Sequence, residues 1–123
     1  MPPNSRNIVW KVSDKLGREI ILQKGTVKGH IMYGHIDGVI FTETAAEAIK
    51  DPDLFFQDSH GGFHYIKEVN KAIRIFFFEE EKFLEVCVKK MFDDEKKEFW
   101  GVATLFPVSE DMLRKRSKTW KKI

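Results

Sequence analysis

The chain has 123 residues, of which 42% are hydrophobic and 13% aromatic, so it can fill the core of one folded domain and is not intrinsically disordered. Its only cysteine excludes an intramolecular disulfide and a cysteine-rich zinc site. No stretch approaches the roughly 18 apolar residues of a membrane span, and Met1–Val12 lacks an apolar segment of signal-peptide length. We therefore expect one cytoplasmic domain, residues 1–123, without a membrane partner.

The net charge is +2, but the basic residues are unevenly distributed. Six of the 21 lysines and arginines lie in the last twelve residues, Met112–Ile123, which contain no acidic residue. A basic terminus of this kind can hold a phosphate backbone, or it can be the solvated end of a helix. We expect residues 1–7 and 112–123 to be loose or peripheral to the domain.

The first fifty residues predict one hairpin and two short helices. Residues 8–22 contain two apolar runs separated by the turn-forming residues 13–17, which favours a β-hairpin. Thr26–Tyr33 is a short helix candidate. Thr44–Lys50 is a clearer one, because it is rich in alanine and because Thr44 with Glu47 matches a capping box.

The second half predicts a series of strands followed by a terminal helix. Glycines 61 and 62 predict a two-residue turn between the first two strands, and Ser109 is a candidate N-cap for a basic helix at the end of the chain. The predicted strands are Leu54–His60, Phe63–Val69, Ala72–Phe78, Phe83–Phe92 and Phe99–Phe106. This order predicts an α+β fold, in which two short N-terminal helices pack on a mainly antiparallel β-sheet, a meander, within a single domain.

Four histidines form two pairs that are candidates for acid/base chemistry. On a continuous helix, His30 and His35 would lie about 140° apart, but a helix end at Gly34 would let both face one cleft. Imidazole titrates near neutral pH, so this pair is a candidate acid/base pair; the alternative is one packed and one surface histidine. His60 and His64 flank the predicted turn and should point to opposite faces of the sheet, which argues against a metal site.

Cations on the predicted strands are candidate ligands for phosphate. Arg74 lies on one strand, and Lys89 and Lys90 lie on the next. Near two histidines, such a cation could stabilise the charged phosphorane formed during phosphodiester cleavage. Taken singly, each of these residues is more often an ordinary solvent-facing lysine or arginine. Cys87 shares a strand face with Glu85, which disfavours a low-pKa thiolate and therefore a cysteine nucleophile.

An ordered set of short motifs runs from about Val12 to Val108. The matching residues are Asp14, Gly17 and Ile20, then His30-Ile31 and His35, then Ile49, Pro52 and Asp53, then Tyr65, and finally Ala103-Thr104-Leu105-Phe106. In this order they resemble the phage- and toxin-associated branch of the barnase–EndoU–colicin–RelE-like (BECR) nuclease superfamily. The resemblance implies a BECR-like domain that cleaves RNA without a metal or cofactor and leaves a 2′,3′-cyclic phosphate.

The resemblance also implies roles for individual residues. His30 and His35 would act as acid and base, and Thr104 would contact the phosphate. The residues expected to bind the substrate are Arg18, Tyr33, Tyr65, Arg74 and Lys89. The implied partner is RNA, with tRNA as one candidate, and an immunity protein or a second copy of the chain are further candidate partners.

Two other interpretations stay open. Gly34 stands where an arginine usually precedes the second histidine, and residues 1–111 are acidic overall, with all 19 acidic residues against 15 basic ones. Both features favour a non-catalytic RNA- or protein-binding module of a mobile element. Eleven phenylalanines in so small a domain could leave an apolar surface patch, which favours a small oligomerisation domain.

Overall fold

The computed structural model describes residues 7–27, 38–70 and 81–123, and for residues 38–41 the backbone only. Within these ranges seven strands form one sheet: β1 Ile8–Ser13, β2 Glu19–Gln23, β3 Leu54–Gln57, β4 Phe63–Glu68, β5 Glu81–Phe92, β6 Glu98–Ser109 and β7 Lys121–Lys122. The helices are α1 Lys24–Thr26, α2 Gly38–Lys50, α3 Glu110–Arg116 and a 3-10 helix over Ser117–Thr119.

The sheet has the strand order β1-β2-β6-β5-β4-β3-β7. Strands β3 to β6 are neighbours in chain order and pair antiparallel, as a meander does, while β2 joins β6 in parallel. The predicted α+β fold with a mainly antiparallel sheet is therefore confirmed. The predicted N-terminal position of the helices is wrong in part, because α3 follows β6 and packs against the sheet.

Strands β1 and β2 form the hairpin that was predicted over residues 8–22. The carboxylate of Asp14 organises the turn, because its Oδ1 accepts hydrogen bonds from the backbone N–H groups of Leu16 and Arg18, both at 2.9 Å. Gly17 has a φ of +81°, a left-handed conformation that glycine adopts without a steric penalty. The local sequence thus determines this turn.

One face of the sheet, here called the α2 face, carries the larger core. Helix α2 buries Ala45, Ala48 and Ile49 among apolar side chains of the strands, because these three positions lie on one side of the helix. The strand residues in this core include Ile20, Leu22, Tyr65, Leu84, Val86, Val88, Val102 and Leu105.

In the described parts of the chain, no helix is long and apolar enough to cross a membrane.

The opposite face, here called the α3 face, is covered by the C-terminal residues. Ser109 Oγ accepts a hydrogen bond from the Met112 N–H at 3.0 Å, which confirms the predicted N-cap of α3. Leu113 packs on Ile66 and Val108, and β7 pairs with β3. Apolar side chains among the basic ones thus attach residues 112–123 to the outer side of the sheet.

The turn between β3 and β4 is longer than the predicted two residues. Gln57 is paired with Phe63, so Asp58–Gly62 connect the strands. The Asp58 carboxylate closes this loop by accepting hydrogen bonds from the backbone N–H groups of His60 at 2.9 Å and Gly62 at 3.0 Å. Consequently His64 lies opposite Phe56, and His60 lies in the turn instead of on a strand.

Two predicted elements lie outside the described residues, one in part and one entirely. The described residues include the first helix candidate, Thr26–Tyr33, only as far as Val27, and they do not include the predicted strand Ala72–Phe78. The second predicted helix, Thr44–Lys50, is present as the C-terminal half of the longer helix α2.

The packing of α3 predicts a large effect of one substitution. We expect Leu113→Ala to lower the free energy of unfolding by about 2–5 kcal/mol, because Leu113 is a buried contact of α3 with the sheet. Met112→Ala is the matched control, since Met112 is 51% exposed on the same helix and should change stability little. Urea unfolding of both variants measures the difference, and equal effects would contradict the described docking of α3.

Candidate functional site

Three donor side chains meet on the α3 face. Strands β4 and β5 place His64 directly opposite Cys87, and Glu85 lies two residues before Cys87 on the same face. His64 Nδ1 is 3.1 Å from Glu85 Oε2 and 3.4 Å from Cys87 Sγ, and the thiol is 3.1 Å from the same Glu85 oxygen. Imidazole, thiol and carboxylate are all groups that can bind a transition metal.

Glu85 is the buried centre of this group. Its side chain has no exposed surface, and Arg116 of α3 donates from Nε to Oε1 at 3.1 Å and from Nη2 to Oε2 at 2.8 Å. Burial alone would raise the pKa of Glu85, but hydrogen bonds from His64, Arg116 and Cys87 outweigh burial and hold this pKa below its ordinary value of 4.5. Glu85 is therefore a buried carboxylate that stays ionised because its partners surround it.

His64 connects this carboxylate to the turn between β3 and β4. Its Nε2 is 2.7 Å from Asp58 Oδ2, while its Nδ1 faces Glu85. Each ring nitrogen of His64 therefore faces one carboxylate oxygen. The indole of Trp120 stacks on the imidazole at a centroid distance of 3.8 Å and an interplanar angle of 12°.

This environment lowers the pKa of Asp58 and raises the pKa of Cys87. Burial would raise the pKa of Asp58, but hydrogen bonds from His64 and from the backbone of Gly62 and His60 lower it. Burial and the neighbouring charge of Glu85 raise the pKa of the Cys87 thiol. The expectation that Cys87 is not a low-pKa nucleophile is thus confirmed.

A cleft opens beside this group at one end of the sheet. Its volume is about 580 Å³, and two lysines of β5 and two aromatic side chains contribute to its wall. The Lys90 ammonium lies 5.5 Å from the Trp100 ring centroid and 3.7 Å from Glu98 Oε2. The residues that line the cleft are Gln57, Asp58, His60, Gly61, Gly62, Phe63, Lys89, Lys90 and Trp100.

Two of the predicted site residues, Lys89 and Thr104, lie in different parts of the structure. Lys89 lines the cleft and is exposed. Thr104 is half-buried and lies opposite Cys87 in the register of β5 and β6, on the α3 face. The structure thus brings Thr104 next to the His64, Glu85 and Cys87 group, whereas Lys89 belongs to the cleft.

Tyr65 and Arg18, both predicted to bind substrate, belong instead to the α2 face. Tyr65 has no exposed surface, and its hydroxyl donates to Asp14 Oδ2 at 2.6 Å. Arg18 Nε donates to the same oxygen at 2.9 Å, and the guanidinium stacks 3.6 Å from the Phe63 ring centroid. The prediction for Tyr65 is corrected, because a fully buried phenol offers no surface to a substrate. Arg18 is engaged in the same buried group, with 21% of its side chain exposed.

Four of the predicted site residues lie outside the described parts of the chain. They are His30, Tyr33, His35 and Arg74. Their predicted roles stay predictions.

Sequence reasoning missed most of the polar group on the α3 face. It placed Glu85 and Cys87 on one strand face correctly, because the alternation of β5 shows this. It did not bring His64, Asp58 or Arg116 to them, since that requires the register of β4 with β5 and the return of the C-terminus over the sheet. No protein-family model, curated protein or solved structure matches this chain.

The lowered pKa of Glu85 predicts a dependence of stability on pH. Because this pKa is lower in the folded than in the unfolded chain, the stabilisation is present above about pH 4.5 and is lost as the pH falls through the folded value. We expect Glu85→Gln to cost about 3 kcal/mol at pH 7, because it removes the buried charge that accepts two hydrogen bonds from the Arg116 guanidinium. The variant should also lose less further stability on acidification than the wild type.

Urea unfolding between pH 7 and pH 3 measures both effects. Glu98→Gln is the matched control, since Glu98 forms an exposed pair with Lys90 and is 56% exposed. A Glu85→Gln variant as stable as this control at pH 7 would contradict the described ion pair.

The buried hydroxyl of Tyr65 predicts a second stability effect. Tyr65→Phe leaves the ring in place but removes the hydrogen bond to the buried Asp14 carboxylate. We expect a loss of about 1–3 kcal/mol in the free energy of unfolding. Thermal or urea unfolding measures this loss, and a Tyr65→Phe variant as stable as the wild type would contradict the described hydrogen bond.

Proposed function

We propose that this protein is an endoribonuclease that binds RNA in the cleft at the end of the sheet and cleaves it without a metal ion. The observation that carries the proposal is the composition of the cleft wall, where Lys89 and Lys90 lie beside the half-buried Trp100. Ammonium groups bind phosphates, and aromatic rings stack on unpaired bases, so this combination suits a single-stranded RNA.

The geometry of the cleft supports a single strand more than a duplex. The cleft lies between the β3–β4 turn and the ends of β5 and β6, and Trp100 is half-buried there, with part of its ring accessible. An unpaired base could stack on this ring while the neighbouring phosphate contacts Lys90, 5.5 Å from the ring centroid. RNA proteins commonly read unpaired nucleotides in this way.

The cleavage step rests on the sequence resemblance and its two histidines. One imidazole, from His30 or His35, would take the proton of the ribose 2′-hydroxyl while that oxygen attacks the phosphorus. The other would protonate the leaving 5′-oxygen, so that the products are a 2′,3′-cyclic phosphate and a free 5′-hydroxyl. A lysine of the cleft would stabilise the negative charge on the phosphorane. Thr104 would contact the phosphate only if the bound RNA extends from the cleft onto the α3 face.

A second candidate function is RNA binding without cleavage. It is favoured by the state of the described titratable groups: His64 is held between two carboxylates, and burial keeps the Cys87 thiol protonated. Neither side chain is poised to move a proton to a substrate. A lysine and aromatic cleft can bind RNA without any acid/base pair, and Gly34 in place of arginine fits this candidate as well.

Cleavage and binding can be measured separately. We expect the purified protein to cleave mixed RNA in EDTA and to leave cyclic-phosphate ends, while His30→Ala/His35→Ala still binds RNA but does not cleave it. Lys89→Ala/Lys90→Ala should bind more weakly and reduce the salt dependence of log K by about 1.4, since each single-strand phosphate contact contributes about 0.7. Lys82→Ala, an exposed lysine near the other end of β5, is the matched control.

Three results would change the assignment. If the wild type binds RNA at the cleft but does not cleave it, the second candidate function, RNA binding without cleavage, is the correct one. Equal binding by Lys89→Ala/Lys90→Ala and Lys82→Ala would remove the cleft as the RNA site. No binding and no cleavage by folded protein would overturn both candidates.

A further inference from the structure

The donor atoms on the α3 face have the spacing of a metal site. The three distances among His64 Nδ1, Glu85 Oε2 and Cys87 Sγ are 3.1, 3.1 and 3.4 Å. In a tetrahedral zinc site, bonds of about 2.0–2.3 Å place neighbouring ligand atoms about 3.3–3.6 Å apart. The triangle therefore matches three corners of such a site to within a few tenths of an ångström.

The surroundings of His64 fit a metal ligand. A metal-binding histidine generally donates its other ring N–H to a carboxylate, which fixes the ring orientation and makes the ligating nitrogen more basic. Asp58 occupies this position, with Oδ2 at 2.7 Å from Nε2, and Trp120 packs flat on the ring. His64 is thus held with Nδ1 directed at Glu85 and Cys87 before any ion binds.

The charge of the group also accommodates a divalent cation. The Cys87 thiol donates to Glu85 Oε2, and His64 Nδ1 faces the same oxygen at 3.1 Å. A Zn²⁺ ion at the centre of the triangle would displace the thiol proton. The charges of the ion and Arg116 would then balance those of the Cys87 thiolate, Glu85 and Asp58, with His64 as a neutral ligand, so no uncompensated charge is buried.

Arg116 contacts two of the three ligand residues, since Nη2 donates to Glu85 Oε2 at 2.8 Å and the guanidinium also interacts with the Cys87 side chain, but it leaves room for an ion at Oε2. Its Nε hydrogen bond goes to Oε1 of Glu85, which is not part of the triangle, and its Nη2 uses one of the two lone pairs of Oε2. Cys87 is half-buried, so the fourth position can be completed by a water from the exposed side. Arg116 would remain as the partner that orients the Glu85 carboxylate.

We propose that His64 Nδ1, Glu85 Oε2 and Cys87 Sγ bind one Zn²⁺ ion, with Asp58 as the positioning residue of His64 and a water as the fourth ligand. A borderline-soft ion is favoured over Mg²⁺ or Ca²⁺, because the site supplies one sulfur and one nitrogen and a single carboxylate oxygen. The ion would join β4 to β5 beneath the C-terminal segment. This proposal is independent of the RNA function, which needs no metal.

The full-length protein, freed of metal by a chelator, is titrated with Zn²⁺ and with Co²⁺ as the probes. We expect one ion per chain, release of the Cys87 thiol proton on binding, and a thiolate-to-cobalt charge-transfer absorption. Since the chain has one cysteine, that absorption identifies Cys87 in the unmodified protein, whether or not its variants fold. A wild type that binds neither ion in one-to-one stoichiometry, or binds Co²⁺ without this absorption, overturns the proposal.

Variants locate the site. Cys87→Ser should abolish the absorption, and Asp58→Asn should weaken Zn²⁺ binding by about 10–100-fold while the absorption persists. His60→Gln, which changes an exposed histidine of the same turn, is the control and should bind Zn²⁺ as the wild type does. Zn²⁺ should also raise the melting temperature of the wild type and of His60→Gln but not of Cys87→Ser. Undiminished Zn²⁺ binding by folded Cys87→Ser would overturn the assignment.

Discussion

The buried carboxylate of Glu85 is the interaction on which the arrangement of the α3 face depends. It has no exposed surface, and a carboxylate in that position is tolerable only when charged or polar partners replace the water it has lost. Arg116 supplies two hydrogen bonds and His64 a third. Because Arg116 belongs to α3, satisfying this charge requires the C-terminal segment to return over the sheet.

The return of that segment decides which surface is open to a partner. Leu113 packs among Ile66 and Val108, Trp120 stacks on His64, and β7 adds to the edge of β3. The docked segment covers the part of the α3 face around His64. Among the described residues, a cleft lies open beside it at the end of the sheet, where Asp58 forms part of the wall and also holds His64. The C-terminus and the cleft are thus connected through one histidine.

The basic residues of the C-terminal segment differ in their contacts and in what they contribute to stability. Arg116 turns toward the sheet and pairs with Glu85, while Arg114 and Lys115 form exposed pairs with acidic residues one turn earlier. Exposed pairs of this kind contribute little to stability, whereas the buried pair determines where the helix lies. A count of six basic residues does not distinguish these roles.

The sequence by itself determined the local elements: the hairpin with its Asp14 turn, the helix ending at Lys50, the alternating strand around Cys87 and the Ser109 cap. Each depends on neighbours within a few residues, through side-chain periodicity or a side chain that bonds the adjacent backbone. Only the tertiary structure decided that His64 meets Glu85 and Cys87, that Tyr65 is buried on Asp14, and that Arg116 covers the sheet. These contacts join residues 21 to 51 positions apart in the sequence. They depend on the register between strands and on the pairing of the buried Glu85 carboxylate with Arg116. A local sequence pattern specifies neither of these.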